Sequence, residues 1–165
     1  MRVALWLLFG ATACRTVGMT SAHSLAASQV PVQRLRTQAG SFDANSGLVD
    51  SARVIVRDTA TWRAVWQRIN QPFIPPPTLP SIDFQRDMVI VAALGVKPSG
   101  GYDIMIEGAD VDSSGVEISV VRSSPGHGCV LTDARTQPVD LARIPVTSQP
   151  VRFRERSVVV PCGGW

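Results

Sequence analysis

Apolar side chains recur at helical spacing in one stretch of the chain. The stripe consists of Trp62, Val65, Trp66 and Ile69. Its spacings of three, one and three positions place all four side chains on one face of a helix. Asp58 or Thr59 offers an N-cap, and the helix must end before Pro72. The two tryptophans are interpreted as core residues, with a ligand platform as the alternative.

Elsewhere the pattern indicates β-strands. The unbroken apolar run 88–94 is typical of a central strand that is covered on both faces. Residues 102–107 and 116–121 alternate on either side of a turn at 111–115, which predicts a hairpin. Further strands are predicted at 32–36, 53–57, 138–144 and 151–156, and a last apolar stretch, 157–160, leads to Cys162. The first two of these strands are expected to pair with each other across a Gly/Ser/Asn/Asp stretch.

Six to eight short strands with a single helix predict a mainly β fold. The expected architecture is a compact antiparallel β-sandwich or half-barrel with one short α-helix. Residues 72–80, five of them proline, predict a stiff extended connector. That connector is expected to lie along the surface, and a polyproline ligand for a partner is the alternative.

The first segment has the layout of an export signal. Arg2 precedes an apolar run over 3–13, which is shorter than the roughly 20 residues that span a bilayer. The tetrad 11–14, Ala-Thr-Ala-Cys, resembles the lipobox of bacterial lipoproteins, with alanine in the place where leucine is most usual. We therefore predict a signal peptide at 1–13 and lipid on Cys14. Ordinary secretion and an uncleaved segment are the alternatives.

These assignments define the expected organisation and location. Residues 14–29 are expected to be a lipidated flexible tether, and 30–165 a single β domain. The protein is expected in the bacterial cell envelope, anchored on the periplasmic face of the outer membrane. The lipid is its only expected contact with the membrane.

Charge and composition exclude several classes of protein. The 165 residues are 45% hydrophobic and 18% charged, which is neither a disordered polyelectrolyte nor a multispan membrane protein. Of the 16 basic residues, Lys97 is the only lysine, and the arginines are dispersed among acids. Without Arg2, the mature chain has 15 basic and 13 acidic residues, a net charge of +2. No basic run predicts binding to nucleic acid.

The three cysteines are predicted to have two different roles, lipid attachment and disulfide formation. If Cys14 carries lipid, Cys129 and Cys162 remain as a pair in an oxidising compartment, where a disulfide is the expected state. Closing a loop of 33 positions contributes about 4 kcal/mol in the chain-entropy model. A reactive thiol beside His127, or a metal ligand, is the alternative. Because the other histidine, His23, lies in the tether, no metal centre and no cofactor are expected.

A separate alternative for a metal is calcium near Asp110 and Asp112, at the hairpin turn. Solvated acids are ordinary at such turns.

The candidate binding loop follows the run 88–94. It consists of Lys97, Pro98, Ser99, Gly100, Gly101 and Tyr102, preceded by Gly95 and Val96. A phosphate-binding loop needs Lys and Ser/Thr after its last glycine at the start of a helix, and this order is reversed here. A nucleophile elbow is also missing. The loop is interpreted as a rigid turn that presents Lys97 and Ser99 to a partner, with a purely structural turn as the alternative.

These segments, in this order, resemble the family of the C-terminal domain of the protease complex subunit PrcB. The matching strings are Val56-Arg57-Asp58 with Trp62 and Trp66, Ile82-Asp83-Phe84, the run 88–94, the loop 95–102 with Ile104 and Ile106, Pro125-Gly126 with Cys129, Thr136-Gln137-Pro138, and Ile144-Pro145. The resemblance covers about 30–155. It implies a small exported β domain associated with assembly of a surface protease complex. It brings no catalytic residues.

The loop 97–102 is also similar to the Asn-Pro-Thr-Thr-Gly-Tyr loop of chagasin-type inhibitors of cysteine proteases. Lys97 replaces the asparagine, and Gly100 replaces the second threonine. The leading hypothesis is a non-enzymatic lipoprotein whose β domain binds or helps assemble another envelope protein, with a protease as a candidate. The first rival is a protease inhibitor that inserts the loop 95–102 into a protease cleft. The second is an enzyme that uses Cys129 and His127.

Overall fold

The computed structural model describes residues 28–35 and 44–163. The elements in chain order are β1 (Ser28–Gln29), β2 (Gln33–Arg34), β3 (Ser51–Val56), α1 (Thr59–Ile69), β4 (Asp87–Leu94), β5 (Asp103–Asp112), β6 (Gly115–Pro125), β7 (Val139–Pro145) and β8 (Val151–Val160). Sheet 1 has the order β1-β5-β6-β8, and sheet 2 has the order β2-β7-β4-β3. The predicted mainly β sandwich with one helix is confirmed. The predicted signal peptide 1–13 and lipidation site Cys14 lie outside the described residues.

Strand β4 has the two-sided burial that its apolar run predicts. Met88 and Ile90 belong to the core between the two sheets. Val89 and Val91 belong to a second core, beneath α1. The strand pairs with β3 on one side and with β7 on the other, so it is central in sheet 2.

Helix α1 begins and ends where its sequence predicts. Asp58 is the N-cap: its carboxylate accepts hydrogen bonds from Thr61 N at 2.8 Å and from Thr61 Oγ1 at 2.7 Å. These bonds hold the pKa of Asp58 below its ordinary value. Trp62 and Trp66 are buried against sheet 2, so the core interpretation of the tryptophans is confirmed.

The proline-rich connector lies along α1. Trp62 Nε1 donates to the carbonyl of Pro80 at 2.9 Å, and Trp66 Nε1 donates to the carbonyl of Pro77 at 3.0 Å. A proline segment has few backbone donors, but its carbonyls remain free to accept such bonds. The two tryptophans therefore fill the core and also hold the connector on the surface.

The hairpin β5–β6 is confirmed, and its ladder shifts register between Ile106 and Gly108. The expected pairing of the first two predicted strands was wrong. Instead β2 pairs with β7, and β3 pairs with β4. The reason is burial: β4 and β7, the more apolar strands, occupy the centre of sheet 2 and leave its two edges to β2 and β3. The patterning also did not predict that β8 runs parallel to β6.

A polar clamp joins the two sheets near the register shift. Strand β1 pairs with β5 only at Asp110 and Val111, so it does not reach Ile106. Sheet 2 supplies the partners there: Asp140 Oδ2 accepts from Ile106 N at 2.7 Å, and Arg34 donates to Ile106 O at 2.9 Å. Burial raises the pKa of Asp140 above its ordinary value.

The sandwich has two distinct ends. The turn end carries the β5–β6 turn and the residues that follow β7. The loop end carries the segment 44–50, the loop 95–102, which we call the lysine loop, and the loop 126–138, which we call the cysteine loop. Among the residues that the structure describes, no helix is long and apolar enough to cross a membrane.

Candidate functional site

The lysine loop leaves the most buried strand of the fold and is held there by close backbone packing. Gly95 has a φ of +69°, in the left-handed region that favours glycine. A Cβ at this position would lie 2.8 Å from Val49 O and from Ser51 N. Val96 N donates to Val49 O at 3.0 Å. Gly95 is therefore required both by its conformation and by space.

Gly100 and Gly101, which were both predicted to permit an unusual backbone conformation, have different roles in the loop. Gly101 has a φ of +80°, so it supplies the unusual conformation. Gly100 does not have a positive φ, and its requirement is steric: a Cβ there would overlap Thr132 Oγ1 of the cysteine loop. One glycine turns the chain, and the other lets the two loops approach.

The cysteine loop supports the lysine loop through four hydrogen bonds. Lys97 N donates to Thr136 O at 2.7 Å, and Thr136 N donates to Lys97 O at 3.1 Å. Thr136 Oγ1 donates to Ser99 O at 2.9 Å, and Gly100 N donates to Thr132 O at 3.2 Å. These bonds fix the backbone of the lysine loop at Lys97, Ser99 and Gly100 before any partner binds.

The side chains of the lysine loop differ in how far they are available to a partner. Ser99 Oγ donates to Gly100 O at 3.1 Å. Lys97 Nζ lies 5.9 Å from the centre of the Tyr102 ring, within range of a cation–π interaction. Pro98 is exposed, and Val96 is 40% exposed. The outermost surface of the loop is therefore apolar, with one positive charge lying against an aromatic ring.

Cys129 and Cys162 form a disulfide with an S–S distance of 2.07 Å. His127, two residues from Cys129, is exposed. With its sulfur in the disulfide, Cys129 has no thiol to serve as a nucleophile beside His127. Within 28–35 and 44–163, no group of three or more His, Cys, Asp or Glu side chains is placed to hold a metal.

Residues 88–145 match the family model described as PrcB C-terminal. The matched segment runs from β4 through both loops to the end of β7. It confirms the predicted resemblance over these residues. Neither the curated proteins nor the solved structures gave a match.

The PrcB C-terminal match contains the whole contact between the two loops. Lys97, Gly100, Thr132 and Thr136 all lie inside it. Of the disulfide, only Cys129 is matched, because Cys162 follows β8. Helix α1 also lies outside the matched segment.

Sequence reasoning missed several residues at the loop end. The exposed apolar side chains there are Val49, Val96 and Val130, which are 48%, 40% and 100% exposed. Thr132 and Thr136, which support the lysine loop, were also missed as partners. Thr136 was visible only as part of a matching string. No pattern in the sequence distinguishes Thr132 from other loop threonines.

Proposed function

We propose that the protein is a non-enzymatic lipoprotein of the bacterial envelope whose β domain binds or helps assemble another envelope protein. The observation that carries this proposal is the PrcB C-terminal match over both loops, together with the rigid support of the lysine loop. A loop that is ordered before binding loses little conformational entropy when a partner docks. The family resemblance makes a protease complex the leading candidate partner.

The path of the chain favours a docking surface at the loop end. Ser28 pairs with Val111, beside the β5–β6 turn, so the described chain begins near the turn end. Cys14 precedes Ser28 by 14 positions, a reach of at most about 50 Å. A lipid on Cys14 would thus place the membrane nearer to the turn end. The lysine loop would face away from it, toward soluble partners.

The sole lysine gives a direct test of the docking loop. An amine-reactive photo-crosslinker on the purified mature protein labels Lys97 and any free N-terminal amine. We expect one envelope protein to be cross-linked by the wild type and not by Lys97→Arg, which keeps the charge but cannot be labelled. Unlabelled wild type should compete for this cross-link, and unlabelled Lys97→Ala/Ser99→Ala should compete poorly. Equal competition by both proteins would exclude the loop as the contact.

The proposed lipid anchor has its own test. The unreduced mature protein should have an intact mass equal to residues 14–165 with one lipid modification and one disulfide. A mass that corresponds to cleavage elsewhere, without lipid, would overturn the anchor and leave a secreted protein. The same spectrum reports free thiols, and two of them would reopen the enzymatic use of Cys129 with His127.

A protease inhibitor is the second candidate function. One observation favours it: Pro98 is exposed on a loop whose backbone is held by hydrogen bonds to the cysteine loop. A loop that inserts into a protease cleft needs such a fixed conformation. An inhibitor slows cysteine or serine proteases without being cleaved. The mature protein at high micromolar concentration, tested on a panel of both classes, separates the candidates. An absence of inhibition removes this one and leaves the assembly role.

A further inference from the structure

Most of the cysteine loop, residues 127–135, has little non-covalent support. Among the described residues, the backbone of 127–135 makes two hydrogen bonds, from Cys129 N to Gly126 O at 3.4 Å and from Gly100 N to Thr132 O. Val130 is fully exposed. Neither burial nor a strand ladder therefore fixes the position of this segment.

The disulfide provides the missing support. Cys162 follows strand β8, which pairs with β6 over its whole length, up to Pro125 and Val160. Gly126 N donates to Val160 O at 2.8 Å, immediately before the loop departs. Three residues after Gly126, the covalent bond between Cys129 and Cys162 attaches the loop to the end of β8 at a second point.

The end of the cysteine loop, residues 136–138, is held independently of the disulfide. Gln137 O accepts hydrogen bonds from Ser46 N at 3.2 Å and from Ser46 Oγ at 2.8 Å. Thr136 is adjacent to this anchor. The lysine loop therefore depends on two supports, one at Thr136 that the fold secures and one at Thr132 that the disulfide secures.

We infer that the Cys129–Cys162 disulfide controls the conformation of the lysine loop through Thr132, which makes the docking surface sensitive to reduction. A dithiol reductant breaks the S–S bond and supplies two electrons and two protons. The products are two cysteine thiols and the cyclic disulfide of the reductant. Release of Thr132 removes the acceptor of Gly100 N, while Lys97 keeps its pairing with Thr136. The consequence for binding rests on the proposed function, but the conformational coupling does not.

Amide hydrogen exchange followed by NMR tests the coupling residue by residue, because local opening raises exchange only where protection is lost. The oxidised mature protein is compared with the same protein in excess dithiothreitol and with Cys129→Ser/Cys162→Ser. We expect exchange at Gly100 to rise about tenfold or more. Exchange at Lys97 should rise less, and exchange at Val91 in β4 should stay nearly unchanged. Thr136→Val, with the disulfide intact, is the matched control. It removes the hydrogen bond from Thr136 Oγ1 to Ser99 O and so weakens the support at Thr136 instead of the support at Thr132.

Two outcomes overturn the inference. If exchange at Gly100 is the same in the oxidised and reduced proteins, the disulfide does not support the lysine loop. If exchange at Gly100, Lys97 and Val91 rises by one common factor, the disulfide stabilises the whole domain rather than the loop. Repeating the Lys97 cross-link under reduction tests the consequence, and its loss is expected. A protein that shows the graded exchange but no cross-link in either state retains the inference and contradicts the proposed function.

Discussion

The two outer faces of the sandwich are built in opposite ways. Sheet 2 is covered by α1, and the space between them is filled by buried apolar side chains such as Trp62, Val91 and Leu141. The outer face of sheet 1 carries three ion pairs. They are Arg152–Asp112, Arg154–Glu117 and Arg156–Glu107. One face excludes water, and the other remains in contact with it.

The difference shows where the stability of the domain lies. Burial of apolar area contributes roughly 25 cal/mol per Å², whereas an exposed ion pair contributes little because water solvates both charges. The arginines of β8 have a different use. β8 is an edge strand, and charged side chains on an edge oppose sheet-to-sheet association. Of the two outer faces, that of sheet 2 therefore contributes more to stability, and the charges of β8 oppose association along the edge of sheet 1.

The largest expected effect is on the covered face. Trp62→Ala should lower the free energy of unfolding by about 3–5 kcal/mol, because it opens a cavity beneath α1. It also leaves the carbonyl of Pro80 without its indole donor. Urea denaturation followed by circular dichroism measures this change. A loss below about 1 kcal/mol would show that α1 is not part of the cooperative core.

A smaller effect is expected where an arginine joins the edges of both sheets. Arg53 Nε of β3 donates to Glu155 Oε1 of β8 at 2.7 Å, and its side chain is only 15% exposed. Its Nη1 also donates to Ala93 O at 2.7 Å. Arg53→Ala should cost about 1–3 kcal/mol, since it leaves a partly buried carbonyl and carboxylate with fewer partners. The same denaturation experiment measures it. A loss equal to that of an exposed arginine would contradict a role in joining the sheets.

The sequence predicted those parts of the fold that follow from local periodicity. The helix 59–69, the two-sided strand 88–94 and the hairpin are each encoded by side chains within a few positions of one another. The partners of β2 and β3, and the direction of β8, depend on competition among distant strands for the centre of a sheet. That competition cannot be read from one segment.

The candidate site likewise has features that follow from nearby residues and features that depend on residues far away in the sequence. The glycines of the lysine loop indicated a tight turn, but the reason for Gly100 is the side chain of Thr132, which lies 32 positions away. The disulfide partner of Cys129 could be predicted, because the predicted export signal and the predicted lipid on Cys14 left one other cysteine, Cys162. The support that this disulfide gives to the lysine loop could not be, since it passes through a backbone carbonyl with no sequence signature.

Acids between the sheets and acids on the outer face should respond oppositely to pH. Burial raises the pKa of Asp140, so the folded protein holds that proton more tightly than the unfolded chain does. The stability contributed by protonated Asp140 is therefore lost as pH rises through the raised pKa. The hydrogen bond from Arg156 lowers the pKa of Glu107, so its contribution is lost as pH falls through the lowered pKa.

Two isosteric variants test these opposite dependences of stability on pH separately. From pH 4 to pH 7, the difference in stability between Asp140→Asn and wild type should move in favour of the variant. From pH 2 to pH 4, the difference between Glu107→Gln and wild type should move in favour of wild type. Urea midpoints at stepped pH give both slopes. Slopes of the same sign would show that the environments of the two carboxylates do not differ as their burial indicates.

The smallest effect is expected for an arginine of the outer face. Arg154 lies 3.5 Å from Glu117 Oε1, and its side chain is 77% exposed. Arg154→Ala should change the free energy of unfolding by no more than about 0.5 kcal/mol, and that small effect should shrink further in 0.5 M salt, because water and ions already screen the pair. Arg53→Ala is the matched comparison, since it removes the same side chain from the edge of sheet 2. Its larger cost should survive the added salt, because its partners are partly buried. Equal costs for the two variants would mean that burial does not distinguish these arginines, and the contrast between a stabilising covered sheet and a solvated outer face would fail.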